Sequence, residues 1–255
     1  MDNQAYDDLA RVEDTHWYHT GRRKLVEYYM DSIRRGPCHQ AGILDVGCGT
    51  GGMLETLRKY GAVTGLEISA HAAGICLRKH PSARIRIGSA NDLDKTFAGE
   101  QFDIVTFFNV LYHEWILDDT RVLKEAFSLV RPGGFVVINE PAYKFLYRDN
   151  DRICMGKRRY TVPEIRDIMK AAGFNVARIT YFNSISFLPL LLSSMLQRAG
   201  LFRSKKASDE LGAPPPVVNG LLKFAMSCEL AAIKIFGGFP FGVSILAVGR
   251  KDIRP

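Results

Sequence analysis

A glycine-rich turn that follows a short apolar run constrains the fold of this chain more than any other sequence feature. Residues 43–46 have the apolar character of a buried strand. Four glycines follow them, at positions 47, 49, 51 and 52. Glycine tolerates positive φ and carries no Cβ, so the backbone at this turn can approach a bound molecule closely. A helical pattern over residues 52–60 comes next, and we predict that its positive N-terminus lies beside the ligand.

The spacing of these glycines does not identify the ligand by itself. Gly47, Gly49 and Gly52 satisfy the GxGxxG pattern of dinucleotide-binding proteins, so a nicotinamide or flavin cofactor stays open on spacing alone. Asp45 precedes the first glycine, where its carboxylate would repel a pyrophosphate and attract a cation. This acid therefore favours a positively charged cofactor over a dinucleotide.

The segment Asp45–Gly51 resembles the first motif of class I S-adenosylmethionine-dependent methyltransferases, in particular the type 11-like members that act on small molecules or lipids. The cofactor of that family carries a sulfonium and an amino group and no phosphate. The resemblance implies that Asp45, Gly47, Gly49 and Gly51 bind S-adenosylmethionine, and that the product is S-adenosylhomocysteine. It extends over residues 13–181.

An acid ends the second predicted strand, which covers residues 62–66 and leads into Glu67 and Ile68. Nucleotide-binding α/β folds place an acid roughly twenty residues after the glycine loop to bind ribose hydroxyls. We predict that Glu67 binds the ribose and that Ile68 lies beside the cofactor. The alternative is a solvated acid at a helix start that Ser69 caps.

Strands alternate with helices along most of the chain. The predicted strands cover residues 43–46, 62–66, 83–87, 102–108, 135–139, 176–181 and 243–249. This order predicts an α/β fold with an open, doubly wound sheet and a ligand site at the carboxyl ends of the strands. The resemblance implies a Rossmann-like sheet of seven strands, the last of them antiparallel.

A long insert separates the last two predicted strands, by about sixty residues where a short turn is usual. We therefore divide the chain into an N-terminal helical cap (1–40), a cofactor-binding core (41–181), a helical insert or lid (182–240), and a last strand with its tail (241–255). The insert combines two apolar helices with a basic linker at Arg203, Lys205 and Lys206. One interpretation is that its two helices pack on each other and on the sheet. The alternative is that they contact an apolar substrate or anionic lipid.

The resemblance also implies cofactor contacts outside the glycine loop. Ala90 and Asn91 follow the third strand and would contact the adenine, although Ser89 stands where the family usually has aspartate. Asn109 follows the fourth strand and would face the methionine end of the cofactor. The remaining candidates lie in the N-terminal segment, where Trp17 or Tyr18 would cover the sulfonium and Arg22 would meet the carboxylate. The alternatives are a solvated turn at residues 89–92 and an ordinary amphipathic first helix.

Two groups of residues are candidates for chemistry and acceptor binding. His113 and Tyr112 follow the fourth strand, and a histidine near neutral pKa can accept the proton that a nucleophile loses. Tyr147, Arg159 and Tyr160 lie in a basic loop after the fifth strand, where we predict that they bind an anionic acceptor. A packed histidine and a solvated charge cluster are the alternatives.

Composition narrows the partners and the compartment. The 255 residues carry a formal net charge of +7, which favours anionic partners, but no nucleic-acid module or base-methylation motif is present, so nucleic acid is a poor candidate. Five cysteines are scattered without CxxC spacing, and the acidic N-terminus has no secretory character. We expect a cytoplasmic protein without a metal, with peripheral membrane contact open and the oligomeric state undetermined.

The sequence predicts an enzyme that moves the methyl group of S-adenosylmethionine to an O, N or C nucleophile of a small-molecule or lipid-like acceptor. Such transfer needs mainly in-line positioning beside an activated donor. One alternative is an NAD(P)-dependent oxidoreductase with the same loop spacing, which Asp45 disfavours. Another is a non-catalytic cofactor-binding or membrane-associated scaffold.

Overall fold

A single twisted sheet forms the centre of the molecule. The computed structural model describes residues 1–33, 41–201, 212 and 214–253, and the structural statements below concern those residues. In chain order the strands are β1 (Ala41–Val46), β2 (Gly61–Glu67), β3 (Arg84–Ile87), β4 (Phe102–Phe108), β5 (Val130–Pro141), β6 (Asn175–Phe182) and β7 (Ser244–Arg250). They lie side by side in the order β3-β2-β1-β4-β5-β7-β6.

The direction of the strands brings the predicted site residues to one edge. Strands β1 to β5 are parallel, whereas β7 runs antiparallel to both β5 and β6. The strand order reverses between β1 and β4, the kind of switch point at which open α/β sheets bind ligands. The predicted fold class, with seven strands and an antiparallel last strand, is confirmed.

Helices cover both faces of this sheet. They are α1 (Asn3–Val12), α2 (Trp17–Ile33), α3 (Leu54–Arg58), α4 (Ala70–Lys79), α5 (Leu93–Thr96), α6 (Asp119–Leu129), α7 (Asp149–Ile153), α8 (Val162–Ala171), α9 (Phe187–Arg198) and α10 (Pro216–Phe236). The helix predicted after the glycine loop is shorter than its pattern. At α8 the predicted capping box is present, because Thr161 Oγ1 accepts from the Glu164 N–H and the Glu164 carboxylate accepts from the Thr161 N–H.

Alternate residues of the strands enter two different layers of the core. Leu44 and Val46 pack into the layer that α6 and α8 cover. Ile43 packs into the opposite layer with α2 and with Met226 and Ile233 of α10. This alternation is the period-two pattern of a strand that is buried on both faces. Helix α10 therefore belongs to the folded domain through its contacts with α2.

Within the described part of the region predicted as an insert, the chain forms the helices α9 and α10. The predicted basic linker at Arg203, Lys205 and Lys206 lies outside the described residues. By length and composition α10 is also long and apolar enough to cross a membrane, although it packs on α2.

Candidate functional site

A cavity of ≈ 340 Å³ lies at the carboxyl ends of β1, β2 and β4. Its wall combines the N-terminal helices, the glycine loop, the turns after β2, β3 and β4, the loop after β5 and the start of the insert. The predicted residues that line it are Trp17, Tyr18, Arg22, Asp45, Gly47, Gly49, Glu67, Ile68, Ala90, Asn109, Tyr112, His113 and Arg159. The site residues that the structure brings together thus come from every part of the chain.

The glycine loop has the backbone geometry that its sequence predicts. Gly47, Gly49 and Gly51 have φ angles of 69°, 54° and 89°. A Cβ at Gly47 would lie 2.6 Å from a methyl group of Val110, so a larger residue would push the loop out of place. Gly51 is not among the residues that line the cavity, and a Cβ at this position would lie 2.8 Å from His80 and 2.9 Å from Cys76. We therefore correct its predicted role from cofactor contact to support of the loop.

Asp45 is a buried carboxylate in the cavity wall. Its side chain is 1% exposed, and Thr106 Oγ1 donates to Asp45 Oδ1 over 2.7 Å. Burial raises the pKa of Asp45 to about 7, and the hydrogen bond from Thr106 opposes this rise. A cation in the cavity would stabilise the ionised form of this carboxylate.

Arg22 is a positive group in the same wall. It is 9% exposed, and its Nε is a buried donor without a hydrogen-bond partner among the described residues. The guanidinium lies 5.6 Å from the centre of the Tyr18 ring, and Nη2 lies 3.5 Å from His19 Nδ1. An unpaired buried donor is costly, so this guanidinium is suited to an anionic group of a bound molecule.

Glu67 joins the end of β2 to the glycine loop. One carboxylate oxygen accepts from the Gly49 N–H over 2.8 Å, and the other accepts from the Ser69 N–H over 2.9 Å. Ser69 also caps α4, as the alternative interpretation expects, but Glu67 is only 4% exposed and is therefore not a solvated acid. The ribose contact of Glu67 stays a prediction, and its position in the cavity wall is compatible with it.

A buried acid from the N-terminal cap holds the loop from the other side, and no sequence pattern predicted this contact. Thr50 Oγ1 lies 2.8 Å from both carboxylate oxygens of Glu13, and Lys79 Nζ donates to Glu13 over 2.7 Å. A side chain at Gly52 would collide with this carboxylate. Glu13, Thr50 and Lys79 are far apart in sequence, so no local pattern marks their contact.

The aromatic residues of the cap both line the cavity and pack on the core. The Tyr18 ring is stacked on Phe182 at 6.4 Å, and its hydroxyl lies 3.3 Å from Ser244 Oγ. The Trp17 N–H donates to the Asn219 side chain of α10 over 2.9 Å. The two interpretations of this segment, cofactor cover and packed helix, are therefore compatible in this fold.

Of the predicted cofactor contacts in the turns after β3 and β4, two line the cavity and one does not. Ala90 and Asn109 line the cavity, and Asn109 has a positive φ of 59°. Asn91 does not line it: its side chain donates to the Trp115 carbonyl over 2.8 Å and accepts from the Leu117 N–H over 3.0 Å. We correct its predicted adenine contact, because both ends of this amide hold the loop after β4.

His113 and Tyr112 lie side by side in the cavity wall. The His113 ring is stacked on Trp115 at 4.6 Å, and Nδ1 lies 3.4 Å from the Met155 carbonyl oxygen. A carbonyl oxygen can only accept, so Nδ1 carries the proton and Nε2 keeps its lone pair. Burial lowers the pKa of His113 to about 4 and raises the pKa of Tyr112 well above its ordinary value.

Of the three acceptor contacts predicted in the loop after β5, only Arg159 lies in the cavity wall. Arg159 forms a buried, bidentate ion pair with Asp151. The distance from Nε to Oδ1 is 2.9 Å and the distance from Nη2 to Oδ2 is 3.1 Å. Asp151 lines the cavity as well, and the sequence analysis did not single it out. This pair presents a rigid, nearly neutral polar surface, whereas we had expected a free positive charge.

Tyr160 and Tyr147 do not line the cavity. The Tyr160 hydroxyl lies 2.9 Å from the Leu111 carbonyl and 3.0 Å from Asp119 Oδ2, inside the core. The Tyr147 hydroxyl donates to the Gly156 carbonyl over 2.8 Å. We correct both predicted acceptor contacts, because their hydroxyls stabilise the loop itself.

One unpaired polar group belongs to the start of the insert. Asn183 lines the cavity, is 3% exposed and has a positive φ of 61°. Its Oδ1 has no hydrogen-bond partner among the described residues. A buried amide oxygen without a donor is suited to a hydroxyl or amine of a bound molecule.

Comparison with known proteins shows what this fold and part of this chain are similar to. Residues 44–138 match the family described as a methyltransferase domain. The structure of a SAM-dependent methyltransferase from Archaeoglobus fulgidus has a TM-score of 0.56 at 16% identity, over 90% of this chain and 94% of that chain, which shows the shared fold.

Two curated relatives match the same region. The dTDP-4-amino-2,3,4,6-tetradeoxy-D-glucose N,N-dimethyltransferase of Saccharopolyspora spinosa is 39% identical over 99 residues, which are 38% of this chain and 39% of the relative. The ubiquinone biosynthesis O-methyltransferase of Coxiella burnetii is 33% identical over 111 residues, which are 41% of this chain and 47% of the relative. The chain thus spans less than half the length of each.

These matches confirm the resemblance carried by Asp45–Gly51. Residues 44–138 are similar to class I S-adenosylmethionine-dependent methyltransferases, and the cofactor of that class is S-adenosylmethionine.

Proposed function

We propose that this chain transfers the methyl group of S-adenosylmethionine to an O, N or C nucleophile of a small-molecule or lipid-like acceptor. The observation that carries the proposal is the composition of one cavity. Asp45 and Gly49 of the glycine-rich motif and Glu67 at the end of β2 line this cavity. His113 and Asn183, which lie outside that motif, line it as well. The cavity therefore offers a second set of polar groups for a second molecule.

The residues present fit the cofactor. Asp45 is an anionic partner for its positive charge, the unpaired Arg22 Nε is a donor for its carboxylate, and a Cβ at Gly49 would meet no atom within 4 Å. Glu67 lies at the end of β2, where it would meet the ribose. S-adenosylmethionine, when bound, supplies a methyl group activated by its sulfonium.

His113 would accept the proton that the nucleophile loses. Its Nδ1 is fixed by the Met155 carbonyl, which leaves Nε2 as the basic atom. With a pKa of about 4 the imidazole is neutral at physiological pH and only weakly basic. It therefore suits a nucleophile that becomes strongly acidic as the new bond forms. The Tyr112 hydroxyl stays protonated and acts as a neutral neighbour.

The acceptor would be held by neutral polar contacts. The Asp151–Arg159 pair offers a fixed, hydrogen-bonded surface, and Asn183 Oδ1 offers an acceptor for a hydroxyl or amine. These groups support an acceptor that carries a hydroxyl or amine near the reacting atom. The names of the relatives, an amino-sugar N,N-dimethyltransferase and a ubiquinone biosynthesis O-methyltransferase, support the small-molecule class.

The test is turnover of S-adenosylmethionine labelled in its methyl group, with a panel of hydroxylated and amino-bearing metabolites and lipids. We expect label in at least one acceptor and none with the Asp45→Asn variant. An Asn183→Leu variant should raise the KM of that acceptor about tenfold and leave cofactor affinity unchanged, since it removes a contact made only to the acceptor. Tight binding of S-adenosylhomocysteine without transfer to any acceptor would favour the non-catalytic scaffold.

A further inference from the structure

Helix α10 carries an exposed apolar stripe along its whole length. The stripe consists of Val217, Leu221, Phe224, Cys228, Ala231 and Ile235. The spacing between successive positions alternates between four and three residues. The six side chains therefore fall within an arc of about 80° around the helix axis and extend over roughly 27 Å along it. Exposed fractions reach 65% at Leu221, 70% at Phe224 and 76% at Ile235. A continuous exposed apolar surface of this kind marks an interaction site.

The opposite face of α10 is fixed to the domain. Met226 and Ile233 are buried in the core layer of α2. The Glu229 carboxylate accepts from the N–H and the hydroxyl of Ser184 over about 3 Å, which ties the helix to the segment before α9. The stripe therefore points away from the protein, and the helix lies along the surface of the domain.

Helix α9 extends the exposed apolar surface. Leu188, Leu192, Met195 and Leu196 recur at helical spacing and are all exposed, between 37% and 71%. Leu190 of the same helix lines the cavity, together with Ser186 just before it. The exposed apolar surface of the insert is thus continuous in sequence with the part of the cavity wall that Ser186 and Leu190 form.

The charges on these two helices have one sign at the surface. Their basic residues are Arg198, Lys223 and Lys234, whereas their one acid, Glu229, is buried and hydrogen-bonded. The chain as a whole has a net charge of +7. Arg198, Lys223 and Lys234 thus lie on the same two helices as the exposed apolar residues, and basic residues on an apolar surface helix are complementary to a lipid surface with anionic headgroups.

We propose that α9 and α10 dock this domain on an anionic lipid bilayer, with the stripe of α10 lying in the interfacial plane. The positions beside the stripe argue against a second copy of α10 as its occupant. In paired helices, residues of opposite charge beside the apolar seam form salt bridges that determine the partner. Beside the stripe of α10 only one residue is charged, since the flanking residues are Val218, Ala225, Ala232, Gly220, Ser227 and Lys234. The proposal does not depend on the acceptor or on catalysis.

Vesicle sedimentation of the full chain tests this docking. We expect binding to phosphatidylcholine vesicles that contain phosphatidylglycerol, weaker binding to phosphatidylcholine alone, and release by high salt. The Leu221→Gln/Phe224→Gln variant should lose at least about tenfold in affinity, because it removes two apolar side chains from the membrane contact. Lys223→Glu/Lys234→Glu should lose affinity only for the anionic vesicles.

The matched control is Leu117→Gln/Ile253→Gln, which changes two equally exposed apolar residues away from α9 and α10. It should bind vesicles as the unchanged protein does, and thermal melting should show that all variants are folded. Failure of the unchanged protein to bind either vesicle would overturn the proposal. So would a dimer in light scattering that Leu221→Gln/Phe224→Gln dissociates, because the stripe would then be an interface between two copies.

Discussion

At the scale of single residues, the site depends on charges that are buried before any ligand arrives. Asp45 has a hydrogen bond from Thr106 and a raised pKa, and Arg22 has an unpaired Nε. Both groups are unfavourable in an empty cavity and would be relieved by a molecule with a positive and a negative end. We expect this arrangement to favour a zwitterionic cofactor.

The affinity for S-adenosylhomocysteine should depend on pH through Asp45. Below its pKa of about 7 the carboxyl is neutral and does not attract the ligand's amino group; above it the carboxylate does. From about pH 6 to about pH 8 the ionised fraction, and with it the affinity, should rise about tenfold. Calorimetric titration measures this, and Asp45→Asn should bind weakly without that rise. Equal affinity of the unchanged protein at both pH values would contradict the assignment.

Removal of His113 should slow methyl transfer without weakening the cofactor. We expect His113→Gln to lower kcat about 10²-fold, at the low end of general-base effects because the imidazole is weakly basic. Since its pKa is about 4, kcat of the unchanged protein should show no loss attributable to this histidine near pH 6.5. Steady-state kinetics measure both, with His71→Gln as control, because His71 pairs with Asp7 outside the cavity. An unchanged kcat would mean that positioning alone suffices.

At the scale of elements, the glycine loop is held between the cap and the sheet. Glu67 accepts from the Gly49 N–H on one side, and Glu13 accepts from Thr50 on the other. Lys79 of α4 completes the second contact. The N-terminal helices are therefore part of the cofactor loop's support, although they precede the matched domain in sequence.

Thr50→Val should destabilise the protein by about 1.5–3 kcal/mol, because it removes a donor to the buried Glu13 carboxylate while keeping the side-chain shape. Urea unfolding measures this, and the affinity for S-adenosylhomocysteine should fall with it. Thr15→Val changes an exposed threonine of the neighbouring turn and is the control. A stability equal to that of the unchanged protein would show that the Glu13 contact contributes little.

Sequence reasoning succeeded where the determinants are local. The capping box of Thr161 and Glu164, the positive φ angles of the glycine loop and the positions of the strands along the chain all follow from patterns within a few residues. It failed for Asn91, Tyr147 and Tyr160, because the partner of a polar side chain depends on which segments the fold brings near. Glu13 was missed for the same reason.

At the scale of the whole molecule, the cap and the insert meet over the cavity. Asn219 of α10 accepts from the Trp17 N–H and donates to the Thr15 carbonyl. Tyr18 stacks on Phe182 at the entrance to the insert. Ligand binding should therefore stabilise the entire domain.

S-adenosylhomocysteine should raise the Tm of the full chain, whereas NADH should not. At a hundredfold excess over Kd, binding stabilises the folded state by about 2.7 kcal/mol, which corresponds to roughly 5–10 °C for a chain of this size. Scanning fluorimetry measures both ligands in parallel. A shift with NADH and none with S-adenosylhomocysteine would restore the oxidoreductase as the better hypothesis.

The position of β7 has a consequence for synthesis of the protein. This strand is made after every other strand, yet it lies between β5 and β6. Until it emerges from the ribosome, β5 and β6 each present an unpaired edge, and the exposed apolar helices of the insert have already been made. The nascent chain therefore passes through a stage in which unpaired strand edges and exposed apolar helices favour aggregation.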